Sequence, residues 1–163
     1  MVHLASWAQL LDIHQLVQVL ENVFQGEYVA IGGGGDFVLG ETDSHQRLHV
    51  DLQLEAMYDS RSAAAVVANF VLSDISCHDG PVRLVPGTQN LPLASQLGKD
   101  WGYATHLQKE SQILSEQNLT YIFACPLRPG DILLRDMRLW HGGSPNLGKG
   151  ARYLPSAEFL SLR

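Results

Sequence analysis

"PGDILLRDMRLWHGGSPN", Pro129–Asn146, decides how this chain is read. A Pro-Gly-Asp turn opens it, because Pro presets φ and Gly tolerates the positive φ of a tight turn. "DILLRD" then reads as a strand, and the run ends on His141 just before Gly142 and Gly143. The same texture recurs from Tyr28 onward. Short apolar runs alternate with turn residues: "YVAIGGGG", "DFVLG", "RLHVDL", "AAAVVANFVLSDI", "PVRLVPG", "YIFACPL" and "ARYLPSAEFLSL". This is the pattern of an antiparallel β-sandwich or barrel.

Two stretches depart from it. Residues 4–24 carry Leu4, Trp7 and Leu11, then Ile13, Leu16, Val17, Leu20 and Phe24, at three- and four-residue steps. That spacing predicts a helix laid on the core, and residues 1–27 are read as that helix with its lead-in. Its polar face lacks cations, so it is no membrane-surface helix. Residues 92–119 are polar, with Trp101, Tyr103 and His106, and read as a long insertion containing a helix around 108–118. The remaining body, 28–163, is read as one domain, as the length of 163 residues suggests. "GGGG" at 32–35 lacks the Lys and Ser/Thr of a phosphate loop and reads as a tight turn or bulge.

Charge is unevenly placed. Residues 1–46 hold six acids and no Lys or Arg, while the rest balance eleven acids with eleven bases, for a net charge of -6. This argues against a nucleic-acid partner, a secretory leader and a transit peptide. No apolar run approaches a membrane span. The expectation is a cytoplasmic protein, monomer or homodimer, with a small-molecule substrate and no nucleic-acid or membrane partner. Cys77 and Cys125 are expected as reduced thiols, the default inside a cell, with a single disulfide as the alternative.

The chemistry-bearing residues sit in two of these runs. In "RLHVDL", His49 and Asp51 are two apart, so a strand sends both side chains to one face. A hydrogen-bonded core pair and a pair of metal ligands both fit that placement. His141, at a strand end beside flexible glycines, could supply a third ligand. Two histidines and a carboxylate on one face of a divalent metal leave the opposite positions open, which suits non-heme Fe(II) working on O₂. Arg152 lies eleven residues after His141, in the last expected strand. Its planar fork matches a carboxylate in a bidentate way. A dicarboxylate chelating the metal at one end could meet Arg152 at the other; surface pairing of Arg152 with Asp136 or Glu158 is the competing reading.

Four blocks together resemble the phytanoyl-CoA dioxygenase (PhyH) family: "HVD" at 49–51, "DGPVRLVPGTQ" at 79–89, "PGDILLRDMRLWHGGSPN" at 129–146 and "ARYLPSAEF" at 151–159. The resemblance covers about residues 28–163. It implies a mainly β, double-stranded β-helix (jelly-roll, cupin-like) fold, and an Fe(II)- and 2-oxoglutarate-dependent dioxygenase. It makes His49, Asp51 and His141 the iron ligands and Arg152 the partner of the distal carboxylate of 2-oxoglutarate. Asn69 stands where family members often place an aromatic residue in the co-substrate pocket, and is expected to hydrogen-bond 2-oxoglutarate. Thr88, in the "PGTQ" turn, is a further candidate donor, as is Ser144. The implied reaction consumes O₂ and 2-oxoglutarate, releases succinate and CO₂, and hydroxylates a C–H bond; a carboxylate ligand at Asp51 favours that outcome over halogenation. Asp136 with Arg138 reads as a structural pair near His141, and Trp140 as packing. The alternative is a catalytically silent β-helix domain that keeps the fold and the metal.

Overall fold

The computed structural model describes residues 5–52, 65–90, 103–104 and 107–162. Among them the chain is mainly β, in antiparallel sheets, with few helices. Nine strands are described: β1 (Tyr28–Val38), β2 (His45–Gln46), β3 (Ala65–Phe70), β4 (Val82–Leu84), β5 (Tyr103–Ala104), β6 (Ile122–Phe123), β7 (Ile132–Asp136), β8 (His141–Gly143) and β9 (Arg152–Ser161). One sheet has the order β1-β9-β3-β7 and another β6-β4-β8, while β2 pairs with β5.

Strand periodicity explains the layers. Val66, Ala68 and Phe70 of β3 and Ala157 and Phe159 of β9 leave one face of the four-stranded sheet. They pack against Leu16, Leu20 and Phe24 of a helix, α2 (His14–Phe24). Those three recur every four residues and so form one stripe, each contributing about 2 kcal/mol by burial. The alternate residues face the other way. Leu133 of β7 and Leu154 of β9 meet Val71, Ile75, Val82 and Leu84, a core shared with the three-stranded sheet. Every residue of β3 is buried because both its faces are covered. No helix among the described residues is long and apolar enough to cross a membrane.

The expected helix over 4–24 is broken. A short helix α1 (Ala5–Ala8) leads into a 3-10 turn, Gln9–Asp12, and Ile13 is extended (φ -63°, ψ 115°) before α2 begins. The spacing explains it: Leu11 to Ile13 is a two-residue step, which an unbroken helix would send to opposite sides. The break lets Leu10, Leu11 and Ile13 all reach the α2 cluster. The helix expected around 108–118 is α3 (Gln108–Glu116). Within the 92–119 segment, residues 92–102 and 105–106, Trp101 and His106 among them, lie outside the described residues.

Three further expectations are corrected. "GGGG" is not a turn: it runs inside β1, and the register shift between Ala30 and Gly32 is the bulge. β9 explains the glycines. A Cβ on Gly32 would sit 2.7 Å from Glu158 Oε2, and one on Gly35, at φ +155°, would sit 2.8 Å from the Leu154 carbonyl. Cys77 and Cys125 are not reduced but joined in a disulfide. The neighbouring Ile75–Leu127 bridge brings these segments together across 48 residues of chain. "RLHVDL" is not a regular strand. Its Leu48 N–H donates to Glu110 Oε1 (2.8 Å), and the Gln46 carbonyl accepts from Arg83 (2.6 Å), where ladder partners would stand.

Arg83 and Glu110 also face each other at 3.3 Å, fully buried on the arginine side. Removing one partner of such a pair strands a buried charge. Glu110→Ala should therefore cost about 3 kcal/mol or more in urea unfolding, and should also release Leu48. Replacing both residues by apolar ones of similar size should recover much of the loss. A Glu110→Ala protein within about 0.5 kcal/mol of the parent would show that the pair does not brace this segment.

Candidate metal centre

Two backbone anchors place the sequence-predicted ligands. His49 and His141 exchange both hydrogen bonds, N–H to carbonyl at 2.9 and 3.0 Å. Two residues on, the Asp51 N–H donates to the Met137 carbonyl at 3.0 Å. The strap 49–51 is thus tied to both ends of the turn that carries the chain from β7 to His141. That turn is itself closed by Asp136, which accepts from the Arg138 backbone N–H (2.9 Å) and its guanidinium (2.9 and 2.6 Å). Trp140 packs among Leu48, Val50, Val85 and Leu114, so the pair and the indole are structural, as expected.

The side chains converge. His49, Asp51 and His141 each offer one ligand atom within 4.8 Å of the others. Asp51 Oδ1 lies 3.7 Å from His49 Nε2 and 3.5 Å from His141 Nε2. Adjacent positions around an octahedral ion of about 2.1 Å bond length are about 3 Å apart, so a small contraction closes the group on a metal. Each imidazole is oriented from behind: Nδ1 of His49 reaches the Arg47 carbonyl (2.9 Å) and Nδ1 of His141 the Leu139 carbonyl (3.0 Å). An Nδ1–H donated to a carbonyl leaves Nε2 with its lone pair toward the shared point. Burial, reinforced by the Arg135 charge, pushes His141 down to about 3. It is thus a neutral imidazole across the physiological range. These donors fit a divalent transition metal.

Arg135 is the residue that sequence reasoning missed. It is buried, and its Nη1 donates to Asp51 Oδ2 at 2.5 Å. Oδ2 is thereby occupied and Oδ1 faces the histidines. Burial alone would raise the Asp51 carboxyl, but His141 and Arg135 outweigh it and hold the group below its ordinary value. The signal was present: an arginine at an inward position of "ILLRD" needs an anion close by.

The other predicted residues divide. Asn69 lines a cavity of about 290 Å³ together with Asp51 and Arg135. Arg152 is buried and lines a neighbouring cavity of about 320 Å³ with Gln46, Gly143 and Ser144. The two cavities share Gly35 and Asp36. Arg152 donates to the Gly80 carbonyl (3.0 Å) and the Asp36 carbonyl (3.3 Å), and does not pair with Asp136, which Arg138 holds. Ser144 Oγ is buried with no hydrogen-bond partner. Thr88 lines neither cavity. Its hydroxyl donates to the Val85 carbonyl (2.7 Å) and accepts from the Trp140 N–H (2.9 Å), locking the residue before His141.

Two buried imidazoles and one carboxylate, closing on a point between antiparallel strands, form the donor set of non-heme iron oxygenases. The sequence agrees: residues 34–153 match the model of the phytanoyl-CoA dioxygenase (PhyH) family, and the chain belongs to that family, whose structural neighbours are Fe/2-oxoglutarate-dependent non-heme oxygenases. Among solved structures it is similar to SnoN, a non-heme alpha ketoglutarate dependent epimerase from nogalamycin biosynthesis. There the identity is 18%, 98% of this chain and 58% of that one are covered, and the TM-score is 0.72. It is also similar to EctD from S. alaskensis, crystallised with 2-oxoglutarate and 5-hydroxyectoine: 16% identity, 99% of this chain and 55% of that one, TM-score 0.70. EvdMO1 matches at 17% identity over 95% of this chain and 32% of that one, TM-score 0.68. The chain thus spans less than two thirds of each of these proteins. A further SnoN structure holds Fe3+ and alpha ketoglutarate. No curated protein matches the chain.

Metal binding checks the cluster directly. Titrated with Mn(II) in a calorimeter, the protein should take up one ion. His49→Ala and Asp51→Ala should each weaken it by more than about 100-fold, since even outer-sphere partners are worth 10- to 100-fold. Equal affinity in the parent and in Asp51→Ala would remove Asp51 from the ligand set.

Proposed function

We propose that the chain is an Fe(II)- and 2-oxoglutarate-dependent dioxygenase that hydroxylates a small organic substrate, with the inner faces of its two larger sheets forming a double-stranded β-helix. The observation that carries the reading is the convergence of His49, Asp51 and His141 within 4.8 Å, beside a polar cavity that adjoins the Arg152 cavity at Gly35 and Asp36. Bound there, iron would supply O₂ activation coupled to oxidative decarboxylation of 2-oxoglutarate, giving succinate, CO₂ and a hydroxylated substrate.

The chain's own groups have distinct tasks in this reading. His49 and His141 present Nε2 because their Nδ1 atoms are engaged, and Asp51 presents Oδ1 because Arg135 holds Oδ2. Arg152 receives the distal carboxylate of 2-oxoglutarate in the cavity it shares with Ser144, whose unpartnered hydroxyl can donate to the same group. Asn69 lines the wall nearer the metal. Thr88 positions His141 through Trp140 and serves the co-substrate only indirectly. A retained carboxylate at Asp51 completes the ligand set and favours oxygen transfer as the outcome.

Succinate formation tests this. Purified protein supplied with Fe(II), ascorbate and 2-oxoglutarate should release succinate in an iron-dependent way. Arg152→Ala should raise the KM for 2-oxoglutarate about 30-fold, the loss of about 2 kcal/mol of charged hydrogen bonding. An unchanged KM would place the distal carboxylate elsewhere. Iron binding without any succinate, across mixed small-molecule substrates, would favour the silent domain.

A further inference from the structure

The cavity beside Asp51 has more negative charge than the metal cluster uses. Its wall draws on all four strands of the four-stranded sheet. Glu158 and Ser156 point inward from β9, Asn69 and Val67 from β3, and Gly34 and Asp36 from β1. Glu158, Val67 and Arg135 occupy one row across β9, β3 and β7, so Glu158 and Arg135 start about 10 Å apart. Arg135 is committed to Asp51. Among the described residues neither Asp36 nor Glu158 forms an ion pair, and Arg152 reaches Asp36 only at its carbonyl (3.3 Å), from the side of the neighbouring cavity.

A second observation does not depend on those acids. Asn69 is 1% exposed, lines the cavity, and its carbonyl oxygen has no hydrogen-bond partner. A buried acceptor left unmatched costs free energy that a ligand donor recovers. The glycine run fits the same picture. Gly32 leaves room for the Glu158 carboxylate, and a Cβ on Gly34 would meet nothing within 4 Å, so the wall is open there. About 290 Å³ suits a small ligand, at the lower end of binding cavities.

We propose that this cavity binds a small substrate carrying a protonated amine, with Glu158 and Asp36 as its counter-charges and the Asn69 carbonyl as an acceptor, beside the metal-facing carboxylate of Asp51. The inference rests on the oxygenase reading above for what happens to the bound molecule, but not for the binding itself. One unmatched buried acceptor flanked by two half-buried carboxylates calls for a cationic donor, and a desolvated ammonium is stable only where acceptors surround it. A carboxylate-bearing substrate would meet the two acids, while the Arg135 guanidinium that lines this cavity is already engaged with Asp51.

The test uses three probes of similar length: 1,4-diaminobutane, 1,4-butanediol and pentanoate. Each is titrated into the protein with and without Mn(II), at about 0.15 M salt to screen the acidic surface. The diamine should bind at least about tenfold better than the diol, and pentanoate should not compete. Glu158→Gln should weaken the diamine about tenfold, and the charge-neutral Gly34→Leu, which fills the cavity, should abolish its binding. Both variants should keep Mn(II) affinity, which shows that the fold persists. Equal binding of diamine and diol, an indifferent Glu158→Gln, or a preference for pentanoate centred on Arg135 would each overturn the proposal. Diamine selectivity in a protein that binds neither iron nor 2-oxoglutarate would overturn the oxygenase reading and leave this one standing.

Discussion

Two hydrogen bonds between the backbones of His49 and His141 carry the rest of the site. They join a strap that is otherwise not a strand to the end of the turn after β7, and they set the two imidazole centroids 4.2 Å apart. Everything around them serves that bridge. Glu110 holds the strap one residue before it, and Thr88 holds Trp140 one residue before the other partner. Met137 receives Asp51 at the far end. A single bridge between two short segments would fray in water. Here each flank is fixed by a buried side chain, so ligand positions are set by packing and by the ion pair of Arg83 with Glu110.

The electrostatics of the centre follow from the same crowding. Burial keeps His141 neutral, and Arg135 keeps Asp51 ionised and oriented. A neutral imidazole at His141 and an ionised carboxylate at Asp51 are the forms that a metal requires of such groups. Beyond the centre, two cavities divide the chemistry. One holds Arg152 and the unpartnered Ser144 hydroxyl, the other Asn69, Glu158 and Asp36, and Gly35 and Asp36 form the wall they share. Asp51 of the metal cluster lines the second and not the first.

Much of this was legible in the chain. Alternation and turn residues located β7 and β9 within a residue or two, because each has buried positions and a turn at its start, and located β3, β4 and β6 only as parts of longer apolar runs. The ligand trio was legible because His49 and Asp51 share a face and His141 ends a strand before glycines. What stayed hidden depends on contacts distant in sequence. "RLHVDL" reads as a strand, yet its backbone pairing is reduced to an isolated bridge at His49 and contacts at Met137, and the Leu48 N–H goes to the side chain of Glu110, 62 residues away. "GGGG" reads as a turn because glycine weakens strands; only the approach of Glu158 and Leu154 shows why side chains are excluded. The reduced-thiol expectation for Cys77 and Cys125 came from the compartment, whereas their pairing follows from the Ile75–Leu127 bridge. Arg135 could have been found, as a charge at an inward position of an apolar strand.

The central claim is that His49, Asp51 and His141 hold iron while 2-oxoglutarate chelates it beside Arg152. Anaerobic titration of the apo-protein with Fe(II) and then 2-oxoglutarate tests it most directly. The account predicts a visible metal-to-ligand charge-transfer band that saturates with one 2-oxoglutarate per iron and is absent in Asp51→Ala. Iron binding with no band at saturating 2-oxoglutarate would contradict it.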